Sequence, residues 1–277
     1  MIAPFTGDNP ATVVALSNPG DAIVSLGTST TLLLSIPPTK EAPVRFTTSH
    51  LLSHPTDVEA HIAMLCYKNG ALAREMVRDQ YAEKQWPRFD ELVVSTPVGC
   101  NGISGYYFPL YEIIPPNVLG NFFFDASGKQ VPEADVPATA HPRLILESQF
   151  LSMASRIQAI LPKNAPPLKR LVLCGGGSAN EVIRQLAADV FGMNVFIAGQ
   201  QGAAEGGAHL ARFAWWHKQH LAETKNTYDD MVALDEDDET KFKCVAKPQA
   251  AFATQYAGMI EKYRAGEDAV VNLCAKA

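Results

Sequence analysis

The sequence predicts an α/β domain built on a mixed sheet of five strands, with helices on both faces and one insertion. Three features of its order lead there. Residues 22–26 and 30–36 are apolar, β-branched runs on either side of Gly27-Thr28-Ser29, which is a hairpin pattern. Residues 170–174 form a short apolar strand that runs through Gly175-Gly176-Gly177-Ser178 into a helix at 179–191. Strands joined by hairpins come first and strands alternating with helices follow, an order that gives a sheet with both antiparallel and parallel neighbours.

The elements follow in chain order. Thr6-Gly7-Asp8-Asn9-Pro10 is a turn that opens a helix, carried on by Ala11 to Leu16. No strand precedes it, so an upstream element is expected to be missing from this chain. A third strand is expected at 60–67. Asn69 is placed to cap the next helix, with Leu72, Met76 and Val77 as its apolar face. Residues 85–141 form the expected insertion, with a short helix at 89–94 and an aromatic strand at Tyr106-Tyr107-Phe108. Helical spacing returns from Leu144 to Leu161, and Pro162 stops it. Val182, Ile183, Leu186, Ala187 and Val190 share one face of the helix that Gly192 ends. Residues 195–197 are the fifth strand and 206–217 a further helix. An acidic loop and a last helix at 249–262 make up a tail, 218–277. The core is thus assigned to 6–84 and 142–217.

Of the 277 residues 47% are hydrophobic and 19% charged, which suits a buried core and excludes a disordered chain. The net charge is −6 and no basic cluster stands out, so a nucleic-acid partner is not expected. The acidic run Asp235-Glu236-Asp237-Asp238-Glu239 is a solvated loop by this pattern. The five cysteines (66, 100, 174, 244 and 274) form no CxxC pair, so neither a metal site nor a disulfide framework is expected. No apolar segment approaches the ~18 residues of a membrane span. A reducing, cytoplasmic setting is the expectation.

Three turns carry candidate chemistry, each with a plain alternative. Asp8 is either a helix cap or a general base that takes a proton from an alcohol. Gly27-Thr28-Ser29 is either a simple hairpin turn or a loop whose small residues let backbone N–H groups and hydroxyls approach phosphates. Gly175-Gly176-Gly177 is either a close-packed turn or a surface for a flat ligand such as adenine. No Gly-x-x-x-x-Gly-Lys-Ser/Thr loop occurs, and the triple glycine lies too late for a dinucleotide fingerprint.

In this order, Gly7-Asp8-Asn9, Val24-Ser25-Leu26-Gly27-Thr28-Ser29-Thr30-Thr31 and Cys174-Gly175-Gly176-Gly177-Ser178-Ala179-Asn180 resemble the FGGY carbohydrate kinases. Within that family, Met64-Leu65-Cys66-Tyr67-Lys68-Asn69-Gly70-Ala71-Leu72-Ala73-Arg74-Glu75 is similar to the eukaryotic, above all fungal, xylulose kinases. So is Tyr107-Phe108-Pro109-Leu110 followed by Glu112-Ile113. The resemblance covers about 6–217. It implies a ribonuclease-H-like, actin-like domain, the C-terminal half of a two-domain enzyme whose N-terminal sugar-binding domain is absent here. ATP, Mg2+ and D-xylulose are the implied cofactors and substrate, and the missing domain a packing partner.

The resemblance also implies roles. Asp8 takes the proton from the sugar hydroxyl, and Asn9 contacts the sugar. Gly27, Thr28 and Ser29 face the phosphates, Gly176, Gly177 and Asn180 hold the adenosine, and Trp86 flanks the nucleotide. The chain departs from the pattern at Ala204-Glu205-Gly206-Gly207, where relatives mostly carry an apolar residue in place of Glu205. Other classes stay open: a non-catalytic nucleotide-binding half-protein, an actin- or chaperone-like ATPase, or a kinase for glycerol, ribulose or gluconate.

Overall fold

Alternate residues of the first two strands face opposite layers, and this parity sets the architecture. Ala22, Val24 and Leu26, with Leu32 and Leu34, point into one core, whereas Ile23 and Leu33 point into another. A sheet apolar on both faces must be covered on both. The computed structural model describes residues 5–18, 20–38, 49–161, 166–198, 202–233 and 242–276. The acidic run at 235–239 lies outside the described residues.

The chain starts with α1 (Asp8–Leu16), β1 (Asp21–Leu26), β2 (Thr30–Ile36), β3 (Ser49–Ser53) and β4 (His61–Tyr67). Next come α2 (Ala71–Tyr81), α3 (Trp86–Ser95), β5 (Ser104–Phe108), β6 (Gly120–Phe124), β7 (Gln130–Val131) and α4 (His141–Ile160). It closes with β8 (Arg170–Cys174), α5 (Glu181–Phe191), β9 (Val195–Ala198), α6 (Ala203–Gln219), α7 (Tyr228–Val232), β10 (Phe242–Ala246) and α8 (Ala250–Cys274). The main sheet runs β10-β9-β8-β1-β2-β4-β3. β1, β8 and β9 are parallel neighbours and the remaining pairs antiparallel.

The sheet is mixed, as expected, but has seven strands rather than five. The two additional strands, β3 and β10, are its edges. Each is five residues long and half exposed, and neither carries a clean alternation. Only pairing with a neighbour marks such a segment as a strand.

Residues 85–141 are more ordered than the sequence suggests. They contain α3 and the three-stranded sheet β5-β6-β7. Tyr106, Phe108 and Phe123 of that segment belong to the same core as Leu32 and Leu171 of the main sheet. The terminal helix starts near the expected place but runs on to Cys274. It buries Tyr256, Ile260, Tyr263 and Val270 and packs on α4 and α5. Two local expectations fail. Gly70, not Asn69, is the cap residue of α2, because the Asn69 side chain is bonded to the 110–112 loop. The buried stripe of α2 is Ala73, Arg74 and Val77, while Met76 is 44% exposed.

Candidate active site

Three parallel strands end on one edge of the sheet, and each is followed by a turn or helix start. In open α/β sheets this carboxyl edge is where ligands bind. β1 ends at Leu26 and runs into Gly27-Thr28-Ser29, in which Thr28 and Ser29 are exposed. β8, beside it, ends at Cys174 and runs into Gly175–Asn180. β9, beside β8, leads toward α6.

The two glycine turns touch. Gly175 has φ +79°, and a Cβ there would lie 2.9 Å from the Leu26 carbonyl carbon; one on Gly177 would lie 2.9 Å from the Leu26 Cβ. These two glycines allow close packing of one turn on the other. Gly176 differs: it is exposed, and a Cβ there would meet nothing within 4 Å. Of the two alternatives for the triple glycine, tight packing thus explains positions 175 and 177, and 176 is the open one.

Asn180 is occupied by the protein itself. Its Oδ1 accepts from the Ile183 N–H at 2.9 Å, capping α5, and its Nδ2 donates to both Asp90 oxygens at 2.8 Å. Asp90 lies one helical turn beyond Trp86 on α3. Burial pushes its carboxyl pKa up, and the Asn180 amide partly offsets this. Trp86 is half-buried, with the Arg78 guanidinium 4.6 Å over its ring and Phe89 edge-on at 5.4 Å. It is both a packing aromatic and a rim residue.

Asp8 is the first residue of α1 and is exposed, and the cap position is Gly7, with no side-chain cap bond. Helix capping is therefore not what Asp8 does. Its Oδ1 accepts from the Asn9 backbone N–H at 2.8 Å and from the Asn9 amide at 3.3 Å, so the two side chains are oriented as a pair. The start of α1 is placed by α6. A Cβ on Gly206 would land on the Ala11 carbonyl oxygen, which shows how closely the first turns of the two helices meet. Glu205 therefore lies near the first turn of α1. It is half-buried, with Oε1 3.8 Å from His209 Nε2.

Among the described residues no three His, Cys, Asp or Glu side chains gather into a metal-binding group. The donors on this edge, an exposed carboxylate and two exposed hydroxyls, fit magnesium carried on a nucleotide's phosphates, since Mg2+ commonly takes few protein ligands there. The sequence did not mark Asp90 or Gln149, and it gave no role to Arg74 and Glu112, inner residues that with Gln149 bond behind the 27–30 turn. Their long-range partners are 43 to 90 residues away, and no local spacing signals them.

Comparison with known proteins gives the family. Residues 22–215 match the C-terminal domain of the FGGY family of carbohydrate kinases. The chain is 38% identical to a xylulose kinase of Rattus norvegicus over 198 residues, 71% of this chain and 35% of the relative. It is 38% identical to the "Probable D-xylulose kinase A" of Arthroderma otae, covering 77% of this chain and 42% of the relative. It therefore spans less than half the length of these relatives. Among solved structures, a xylulose kinase from Rhodospirillum rubrum superposes with TM-score 0.75 at 17% identity, over 98% of this chain and 51% of that one. A Plasmodium falciparum glycerol kinase with ADP superposes with TM-score 0.64 at 12% identity, over 92% and 49%. At these identities the superpositions establish the shared actin-like fold.

Proposed function

Because the chain belongs to the FGGY family of carbohydrate kinases, we propose that it is the nucleotide-binding half of an ATP-dependent D-xylulose kinase and is inactive alone. The observation that carries this reading is the convergence of the Gly27–Ser29 and Gly175–Asn180 turns on one edge, with the exposed Asp8 at the start of α1. In this reading, the γ-phosphoryl group of ATP passes in line to the terminal hydroxyl of the sugar. Phosphoryl transfer asks the protein mainly for positioning, charge neutralisation and a proton acceptor.

Asp8 accepts the hydroxyl proton, and Asn9, hydrogen-bonded to it, faces the sugar. Gly27, Thr28 and Ser29 offer backbone N–H groups and hydroxyls to the phosphates. Gly176 and Gly177 line the adenosine side. Asn180 shapes that side through its bonds to α5 and Asp90, and Trp86 flanks it. Magnesium neutralises the phosphates. The opposite wall of the cleft, with most sugar contacts, belongs to an N-terminal domain outside this chain. D-Xylulose is favoured over other sugars by the 64–75 and 107–110 stretches and by what the similar proteins are named. A cytoplasmic setting belongs to the same reading, in keeping with five free cysteines.

The test measures ADP release with MgATP and D-xylulose, for this chain and for the chain joined to an upstream kinase half. The chain alone is expected to bind MgADP, raising its melting temperature at millimolar ligand, and to show no turnover. The joined protein is expected to turn over, and Asp8→Ala to lower its kcat by about 10²-fold or more. Asp8-dependent turnover by the chain alone would defeat the half-enzyme reading. Absence of any shift with MgADP would defeat the nucleotide reading.

A further inference from the structure

The 107–112 stretch resembles the xylulose kinases, yet the reading above gives it no task. It lies beneath the Gly27–Ser29 turn and is joined to it by a buried polar chain. Glu112 is 5% exposed and carries a carboxylate surrounded by N–H groups. Its Oε1 accepts from Lys68 N and Ile113 N, both at 2.6 Å, and its Oε2 from Asn69 N at 2.9 Å and Asn69 Nδ2 at 3.0 Å. Asn69 also exchanges two bonds with the Leu110 backbone, at 2.7 and 2.9 Å. The 68–70 turn is thus fixed by a residue more than 40 positions away.

That turn packs directly against the phosphate-facing loop. A Cβ on Gly70 would lie 2.7 Å from Thr30 N and 2.8 Å from the Ser29 carbonyl carbon. The Ala71 N–H donates to the Thr28 carbonyl at 3.0 Å. In a trans peptide the C=O and the following N–H point in opposite directions. Holding the Thr28 carbonyl toward α2 therefore turns the Ser29 N–H away from it. Gln149 of α4 completes the brace: its Nε2 donates to Asn69 O at 2.8 Å and Gly70 O at 3.0 Å, and its Oε1 accepts from Arg74 Nη1 at 2.7 Å. Arg74 Nη1 also reaches Thr30 Oγ1 at 3.5 Å.

We propose that Glu112, acting through Asn69, Gln149 and Arg74, is a positioning residue that presets the Thr28–Ser29 peptide for a nucleotide's β-phosphate. The inference rests on the nucleotide-binding reading and adds a phosphate-specific consequence to it. Glu112 is buried behind the turn and acts through these neighbours. Its carboxylate satisfies four converging N–H donors from 68, 69 and 113, and a neutral amide cannot do so, because one of its two terminal atoms is itself a donor.

The test compares MgADP with AMP on this 277-residue chain, by calorimetric titration, with Glu112→Gln and Gln149→Met as variants. Both ligands share the adenosine side, and only ADP carries a β-phosphate. Glu112→Gln is expected to weaken ADP about tenfold and leave AMP within about twofold, as the loss of a charge-assisted brace would do. Hydrogen exchange of a peptide covering 27–33 should speed up in the variant, while one covering 170–174 is unchanged. Gln149→Met should reproduce the split with smaller amplitude, and it serves alone if Glu112→Gln does not fold. Equal weakening of ADP and AMP would reduce Glu112 to a structural role and overturn the proposal, as would unchanged ADP affinity. A wild-type chain that binds neither ligand would instead overturn the nucleotide reading on which the proposal stands.

Discussion

Gly206 has no side chain, and for that reason α1 and α6 can start side by side. Any Cβ there would collide with the Ala11 carbonyl oxygen, a backbone atom that cannot rotate away. Gly206→Ala is expected to force the two helices apart and cost about 1–3 kcal/mol, read as a lower urea midpoint with an unchanged slope. Asn180 gives a second prediction at this scale. Its side chain caps α5 and holds Asp90. Asn180→Ala should therefore lower stability by about 1–2 kcal/mol even without nucleotide. An effect confined to nucleotide binding would contradict that. The turns at Asp8, Gly27–Ser29 and Gly175–Asn180 were legible in the sequence because their signals are local: a glycine or a short polar residue between regular elements. Asp90 and Glu112 were not, since each acts across tens of residues, and their side chains look like ordinary surface acids until the fold buries them.

At the scale of elements, the regular units with strong periodicity emerged near their true places, α4, α5 and β8 above all. The edges β3 and β10 did not, because a half-exposed five-residue strand has no periodic signature of its own. The last helix was legible as a helix but not as part of the core. Beside its apolar face, α8 is joined to α4 by a long-range ion pair: Arg156 of α4 donates to Glu267 of α8 at 2.7 Å, with Ser152 at 3.1 Å from the same carboxylate. The side chains of Arg156 and Glu267 are 16% and 7% exposed. Removing one partner strands a buried charge, whereas replacing both removes the problem. Glu267→Ala is expected to cost about 3–5 kcal/mol, and the double change Arg156→Met with Glu267→Leu to recover most of it. Equal losses in the single and double variants would show that the cost does not come from a stranded charge.

Over the whole molecule, the two apolar faces of the sheet were legible from the parity of β1 and β2. The way residues 85–141 merge with the main core was not, because it depends on contacts across tens of residues, such as Glu112 with the 68–69 backbone. A contact inside that segment, Tyr107 with His141, makes the fold sensitive to acid. His141 is 1% exposed; it hydrogen-bonds the Tyr107 hydroxyl at 2.8 Å, stacks on Tyr81 at 3.8 Å and lies edge-on to Phe123. Burial lowers its pKa to about 4, and the charge of Glu133, which accepts a hydrogen bond from Tyr81, only partly opposes this. Between about pH 4 and 6.5 the unfolded chain binds a proton at this position that the native state does not. Stability from His141 is therefore complete above pH 6.5 and is lost as the pH falls toward 4, by about 3 kcal/mol in all. Asp21, Asp189 and Glu147 act in the opposite sense. Burial raises their native pKa values, so the native state holds their protons more tightly and their contribution falls as the pH rises above the usual carboxylate range. The net slope mixes the two, and a variant separates them. His141→Gln keeps an acceptor for Tyr107 but does not titrate. Urea unfolding at pH 7 and pH 4 should show the wild type losing its advantage over His141→Gln by about 3 kcal/mol. An advantage that stays constant across that range would mean that His141 is protonated as readily in the native state as in the unfolded chain.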